Sequence, residues 1–509
     1  MATDDLVPPL RAGVRLLPRD DAPGALIEDP VLRRRVRLDP NGQAVASALD
    51  APQPIADLAA RLGADVEPIA RAVTSFMRLH LLDTPEARAL AFDAEALDRV
   101  EKTPPASVPL LVRDDARFTC TMCGSCCGGH NVGPVFDDVL DGLAPHAADL
   151  EAATRTAKGL FFTMGSDPNA PEREQVLCHQ SRGSCIFLMD DRRCRIHAAL
   201  GGDKKPRACR IFPYEFVATP RGVAVTIQRE CRGFLEARGG QRLADHLDEI
   251  RSLVALAPSL STVKRIVAMA PGQPIPWDHY QQLEDALHAT VDQHAASADA
   301  AATLVALRDV VFAAAGGEPD AEVPGTDVDT LRTDLDALVT ALLERVGAMR
   351  KAIPEPTAEL VVKADSLDHL RDALTNLRAD LPRALAPLAR GEQRELFVEH
   401  LHHALMSKSL AMAPSILAGW ARLAFGWVLA TTLAVHRARQ VKRRHLVGQD
   451  VMDALVVTSF LMRHEDIAER LLPAFDEALV DLFVVRWPAI VASARDLPDP
   501  DRRLELVKF

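Results

Sequence analysis

A chain of 509 residues exceeds what one compact core holds, and length alone predicts about three domains. Hydrophobic residues make up 48%, enough for sizeable cores, while aromatics at 5% and abundant alanine predict a chain built mostly of helix. The formal net charge of −12 argues against a general nucleic-acid binder. The opening MATDDLVPPLRAGVRLLPRDD has no basic-then-apolar run and no small-residue cleavage site, so no secretory signal is expected. A cytoplasmic location is the expectation. In that reducing compartment dense cysteines read as metal ligands rather than disulfides.

Residues 11 to 40 alternate short apolar stretches with turn residues and predict two or three short strands. The Asp39-Pro40-Asn41-Gly42 sequence reads as a turn into a short helix, Gln43 to Leu49. Two further helices follow, Pro54 to Leu62 ending at Gly63, and Val66 to Leu79, each with apolar residues on one face. With a final strand carrying Leu81-Leu82, this pattern predicts a winged helix within residues 1–90. On the DPNG turn, the LDAPQPIADLAARL stretch and the FMRLHLLDTP finish, the segment resembles the PqqD-like peptide-binding domain of peptide-modifying systems. That resemblance implies that the strand edge and third helix hold a leader or substrate peptide. A DNA-binding winged helix and a solvated charged strand are the alternatives, with Arg33-Arg34-Arg35-Val36-Arg37 the dense basic run nearby. Residues 91–117 read as the rest of a helix (ALAFDAEALDRVEK) and a linker, TPPASVP.

Residues 118–236 form the cysteine-cluster domain. All nine cysteines lie here: Cys120, Cys123, Cys126, Cys127, Cys178, Cys185, Cys194, Cys209 and Cys231. Buried free cysteines would be scattered through any core, so this segregation points to thiolate chemistry. In Cys120-x2-Cys123-x2-Cys126-Cys127 the short gaps let successive thiolates converge on one centre, and Gly124, Gly128 and Gly129 relieve the tight turn. Thiolate-only ligation suits both zinc and an iron–sulfur cluster. A linear CxxCxxCC is unlike paired zinc knuckles, which favours iron–sulfur. The three-residue first gap of the radical S-adenosylmethionine signature is absent. His130, His179 and His197 read as surface or satisfied histidines. Arg207, Arg210 and Tyr214 could neutralise a cluster, contact an anionic substrate or form structural ion pairs. After Phe212-Pro213, ATPRGVAVTIQREC predicts a hairpin that returns the chain to Cys231.

CTMCGSCC, CIFL, CRIH and CRIFPY together resemble the YkgJ-type cysteine-cluster proteins, which implies chelation of zinc or iron. His197 stands where that family has tyrosine, Lys205-Pro206 where it has Arg-Pro, and the Cys194 to Cys209 gap is longer. The longer form, CRIHAALGGDKKPRACRIFPYEF with a later cysteine, is similar to the flagellin lysine N-methylase branch. Cys231 takes the place of its distal cysteine, followed by Arg-Gly rather than Pro. Cys120, Cys123, Cys126, Cys127, Cys185, Cys194 and Cys209 are the expected ligands, with Cys178 and Cys231 as further candidates. Two sites, or one cluster with a spare thiol, both remain open.

Residues 237–509 predict a helical domain, broken at Pro271-Gly272-Gln273-Pro274, a linker near 316–326, Pro354-Glu355-Pro356 and Pro414. Ala411 to Val435 is apolar enough to raise a membrane span, yet Arg422 at its centre favours a buried helix, so no span is expected. The basic run Arg437 to Arg444 reads as a solvated face. In FVEHLHHALMS and VVTSFLMRHEDIAERLL the methylase resemblance singles out His464.

The expected fold is α+β, mostly α: an N-terminal winged helix, a cysteine-rich metal-binding domain and a large helical C-terminal domain. The expected function is metal binding, and the resemblance implies a protein lysine N-methylase using S-adenosylmethionine on a peptide or protein substrate. No catalytic residue is assigned, and no GxGxG-type loop is present for such a cofactor. The competing reading is a non-enzymatic peptide- or protein-binding chain with a structural zinc or iron–sulfur site. A redox role stands third.

Overall fold

The computed structural model describes residues 5–19, 22–128, 132–154, 159–167, 170–181, 183–233, 240–257, 260–295, 300–319, 323, 327–353, 361–384 and 391–495. The chain is α+β and mostly α. Near the N-terminus, strands Arg15–Pro18, Ala25–Asp29 and Arg34–Leu38 form an antiparallel sheet in that order. Ala25, Ile27 and Asp29 alternate inward, as a half-buried strand requires. The buried Asp29 carboxylate is neutralised by Arg11 at 2.6 Å and Arg34 at 3.2 Å.

Helices Pro40–Ser47, Ile55–Leu62 and Val66–Arg78 pack Val45, Ile55, Leu58, Ile69, Val73 and Phe76 beneath that sheet. Two expectations are corrected here. The Asp39–Gly42 sequence is not a turn ahead of a helix but its first turn. Asp39 caps it by accepting the Gly42 N–H at 2.7 Å, and Pro40 enters where no backbone donor is needed. Leu81-Leu82 is not a strand either. Only Leu82 makes an isolated bridge, to Leu10, while both leucines are fully buried plugs of the small core.

The stretch read as a linker also proves structured. Beyond the helix Pro85–Lys102, Leu110–Leu111 pairs parallel with Val223 and Ala224. It becomes an edge of a four-stranded sheet with Gly222–Ile227, Tyr214–Thr219 and Ser261–Thr262. Gly222 makes that approach possible. Its φ is +145°, and a Cβ there would meet the Pro109 carbonyl oxygen at 2.5 Å.

The expected hairpin is present as Tyr214–Thr219 and Gly222–Ile227, and nearly every residue in it is buried. Continuous burial, rather than alternation, fits a hairpin covered on both faces. It shares one core with the helices of the tail, among them Trp277–His294, Gly391–Met406, Ile416–Gln440 and Gly448–Arg463.

By length and composition Ile416–Gln440 is the one helix among the described residues that could cross a bilayer, and 78% of its apolar window is buried inside the protein. Arg422 is held there by a two-pronged pair to Asp476, at 2.8 and 2.9 Å, and by the Ala468 carbonyl at 3.0 Å. The basic run after it is largely exposed, as expected, with Arg437, Lys442 and Arg444 at the surface, yet two of its arginines are paired. Arg443 reaches the fully buried Asp450 at 2.5 Å, and Arg437 reaches Asp453. Acids on the following helix recruited the charges, which a local reading of the run does not reveal. Most of the 316–326 linker and all of Pro354–Pro356 lie outside the described residues.

Candidate metal centre

Short irregular elements carry the cysteines toward one another. Gly124, at φ +75°, turns the chain into the Ser125–Cys127 turn, and Gly128 bridges to Ser184 beside Cys185. The strand Ala170–Cys178 ends on Cys178, whose N–H donates to the Val132 carbonyl at 2.9 Å. A tight pairing of Gln180–Ser181 with Ser184–Cys185 then folds Cys185 back. Cys194 precedes the helix Arg195–Leu200, and Cys209 lies within the helix Arg207–Ile211. Cys178 and Cys185 belong to a small apolar nucleus with Ile186, Phe187 and Ile196, and Cys127, Cys194 and Cys209 pack against it.

Six thiols therefore share one neighbourhood. Cys127 donates its S–H to Cys126, which lowers the Cys126 thiol and raises its own. Cys178 in the same way donates to Cys185. Cys209 is pushed up to about 12 by burial, against the pull of the Lys205 ammonium, and feels Cys185, Cys194 and Cys126. None of the nine cysteines is joined in a disulfide.

The other three stand differently. Cys120 is exposed and Cys123 half-buried; Met122 N–H donates to Cys120 Sγ and Cys123 to Ser125 Oγ, both at 3.4 Å. Cys231 is buried in the core of the helical tail. His179 stacks on Phe162 with ring centroids 4.8 Å apart, and His130 lies outside the described residues. Arg207 pairs with Asp138 at 3.0 Å and covers the Phe136 ring, the structural ion pair weighed above. Tyr214 meets Phe118 edge-on at 6.1 Å, and burial raises its hydroxyl.

Among the described residues no group of three or more cysteine, histidine or carboxylate side chains is placed so that it could hold a metal ion. What the six thiols offer is a donor set. Soft sulfur ligands lie together, two pairs of them are bridged by protons that a metal would displace, and a lysine is at hand to offset the resulting negative charge. The residues fit a thiolate-bound zinc or iron centre.

The thiol cluster, on a mixed and mostly helical scaffold, is a donor set of the kind that chelates a soft metal. Residues 119–232 match the CxxCxxCC family, described as a putative zinc- or iron-chelating domain. No curated protein matches the chain. No solved structure matches it.

A second polar group lies in the helical tail, where sequence reasoning looked only at His464. His464 ends the helix Gly448–Arg463, half-buried, its ring edge-on to Phe460 at 5.9 Å. The denser constellation is on Gly391–Met406. His402 stacks on His288 with Nδ1 atoms 2.9 Å apart, Arg113 donates to His288 at 3.3 Å, and Asp292 lies 3.1 Å from His402. His403 shares a 2.8 Å hydrogen bond with Thr226 of the hairpin, with Glu399 4.0 Å from its other nitrogen. The run His400-Leu401-His402-His403 inside an apolar helix was the available signal.

Burial lowers His288, His402 and His403 to about 3 and His400 well below its ordinary value, aided by the Arg113, Arg229 and Lys408 charges. In the unfolded chain these imidazoles titrate near 6.5. Acid therefore favours the unfolded state, and their stabilisation is complete above about pH 7 and is lost as pH falls from about 6.5 toward 3. Each histidine is expected to withdraw on the order of 2 kcal/mol at pH 5, although stacked neighbours will not add fully. Urea unfolding at pH 7.5 and pH 5 checks this; equal stability would show that the imidazoles are not held neutral.

Proposed function

We propose that residues 119–232 bind an iron–sulfur cluster, with Cys126, Cys127, Cys178, Cys185, Cys194 and Cys209 as the ligand pool. The observation that carries the reading is the convergence of thiols from five separate points of the chain, with Cys178 and Cys185 in one small nucleus, Cys127, Cys194 and Cys209 packed against it, and Cys126 bonded to Cys127. Thiolate-only ligation suits either metal, and the linear CxxCxxCC, unlike paired zinc knuckles, favours a cluster over zinc. When bound, a cluster supplies one-electron chemistry, whereas zinc would act as a closed staple. The chain's own part is to present the sulfurs, to offset their charge with Lys205 and to wall one side with Ile186, Phe187 and Ile196. Nine free thiols suit the reducing cytoplasm.

The similarity of the long CRIH-to-CRIFPY stretch to lysine N-methylases supports a wider reading. In it the protein transfers the methyl of S-adenosylmethionine to a lysine amine, whose proton must leave first. The outer strands of the N-terminal sheet, Arg15–Pro18 and Arg34–Leu38, each offer an edge on which a substrate peptide could add a strand. The competing reading keeps the peptide grip and makes the centre a staple without turnover.

Anaerobic purification with an absorbance spectrum and iron, sulfide and zinc analysis tests the centre. A brown protein with iron and acid-labile sulfide is expected. Colourless protein with stoichiometric zinc would replace the cluster by a staple, and metal-free folded protein would remove both.

A further inference from the structure

At the end of the hairpin, next to the helical tail, four charged side chains share one buried patch: Glu215, Arg229, Glu230 and Arg463. Their pairing is lopsided. Arg463 takes Glu215 through two bonds, at 2.6 and 3.1 Å, and Glu230 at 3.3 Å. Both carboxylates thus spend themselves on one guanidinium. Arg229, only 7% exposed, makes no hydrogen bond or ion pair among the described residues, and its Nε is shut away from solvent without a partner.

A guanidinium keeps its charge at neutral pH and has five N–H donors to place. The Arg229 Nε is the one nitrogen of its group both buried and unmet, and an unpartnered buried donor is a cost for the fold. A second unmet group stands nearby. His400 is 8% exposed, and its Nδ1 is buried without a partner. It feels the Arg229 charge, and its helix, Gly391–Met406, is tied to the hairpin by the His403–Thr226 bond. Two adjoining elements therefore each carry a buried polar atom without a partner.

We infer that Arg229 and His400 form a binding site for the carboxylate group of a small ligand, held between the hairpin and the Gly391–Met406 helix. A planar fork of N–H groups matches the two coplanar oxygens of a carboxylate. A dianion such as phosphate would bring two charges beside Glu215 and Glu230, so a singly charged carboxylate is the better match. Such a group could be a free small acid or the amino-acid end of S-adenosylmethionine. The site itself does not depend on the methyl-transfer reading.

The test is thermal unfolding of the full chain, centre intact, in chloride against acetate at equal ionic strength. S-adenosylmethionine and its decarboxylated form make two further arms. Acetate or S-adenosylmethionine is expected to raise the wild-type midpoint by at least about 3 °C. Arg229→Met should lose that response and, freed of an unpaired buried charge, unfold in chloride no earlier than the wild type. His400→Asn should weaken the response without abolishing it. A response to acetate alone leaves the site in place and moves S-adenosylmethionine elsewhere. Equal shifts by S-adenosylmethionine and its decarboxylated form with none from acetate would overturn the proposal. So would an Arg229→Met protein that keeps the shift, one that is markedly destabilised in chloride, or a wild type that ignores every carboxylate.

Discussion

Replacing Cys185 by serine is expected to strip the metal from the protein, with bound iron or zinc falling at least about tenfold on anaerobic purification. Cys185 accepts the S–H of Cys178, feels Cys126, and is one of the few buried side chains in the nucleus beneath the cluster. A hydroxyl there is a poor soft-metal ligand and leaves Cys178 without its partner. That nucleus is small, so losing the centre should also loosen the segment around it. Cys231→Ser is the control, because Cys231 is buried in the other core, and should keep more than half of the metal. Metal analysis by mass spectrometry decides. Retention in Cys185→Ser together with loss in Cys231→Ser would place the centre on the other sulfurs.

Arg463→Ala should be the most damaging substitution in the helical tail. It leaves Glu215, 4% exposed, without either of its two bonds, and removes a contact from Glu230. Breaking one side of a buried pair costs about 3–5 kcal/mol, because the remaining charge is stranded. Arg229 shares the same field and would take up part of that loss, which points to the lower end of the range. Adding Glu215→Gln should recover some stability, since no full charge is then left behind. Denaturant unfolding of the single and double variants gives the answer. Single variants within about 1 kcal/mol of wild type would show the pair to be solvated.

The cysteine pattern was readable from sequence because ligand spacing is a local property. Gly124 and Gly128 lie where a tight sulfur loop needs them. The three N-terminal helices and the Tyr214–Ile227 hairpin were legible for a related reason, being written in periodicity and turn residues. What escaped was decided by contacts between distant segments. Leu110–Leu111 looks like linker until Gly222 admits it to the sheet. Leu81-Leu82 has strand-forming residues and no strand to lie against. The basic run around Arg443 is exposed as its charge suggests, but its pairing with Asp450 and Asp453 depends on the next helix. In the cluster, sequence weighted Cys120 and Cys123 above Cys178. The structure puts Cys178 among the interacting six and leaves Cys120 facing solvent.

The Tyr214–Ile227 hairpin also bears on how this chain can be taken apart. It lies inside the family-matched segment, between Cys209 and Cys231, yet its apolar residues are buried against the helical tail. The cysteine segment is therefore not a detachable cassette. Cut free after residue 232, it would carry a two-stranded ribbon of Val217, Val223, Val225 and Ile227 with nothing to cover them, a ready surface for aggregation. The tail expressed alone would meanwhile lack the sheet at its middle. Swapping sulfur centres between scaffolds of this kind requires moving the hairpin and its helical socket together.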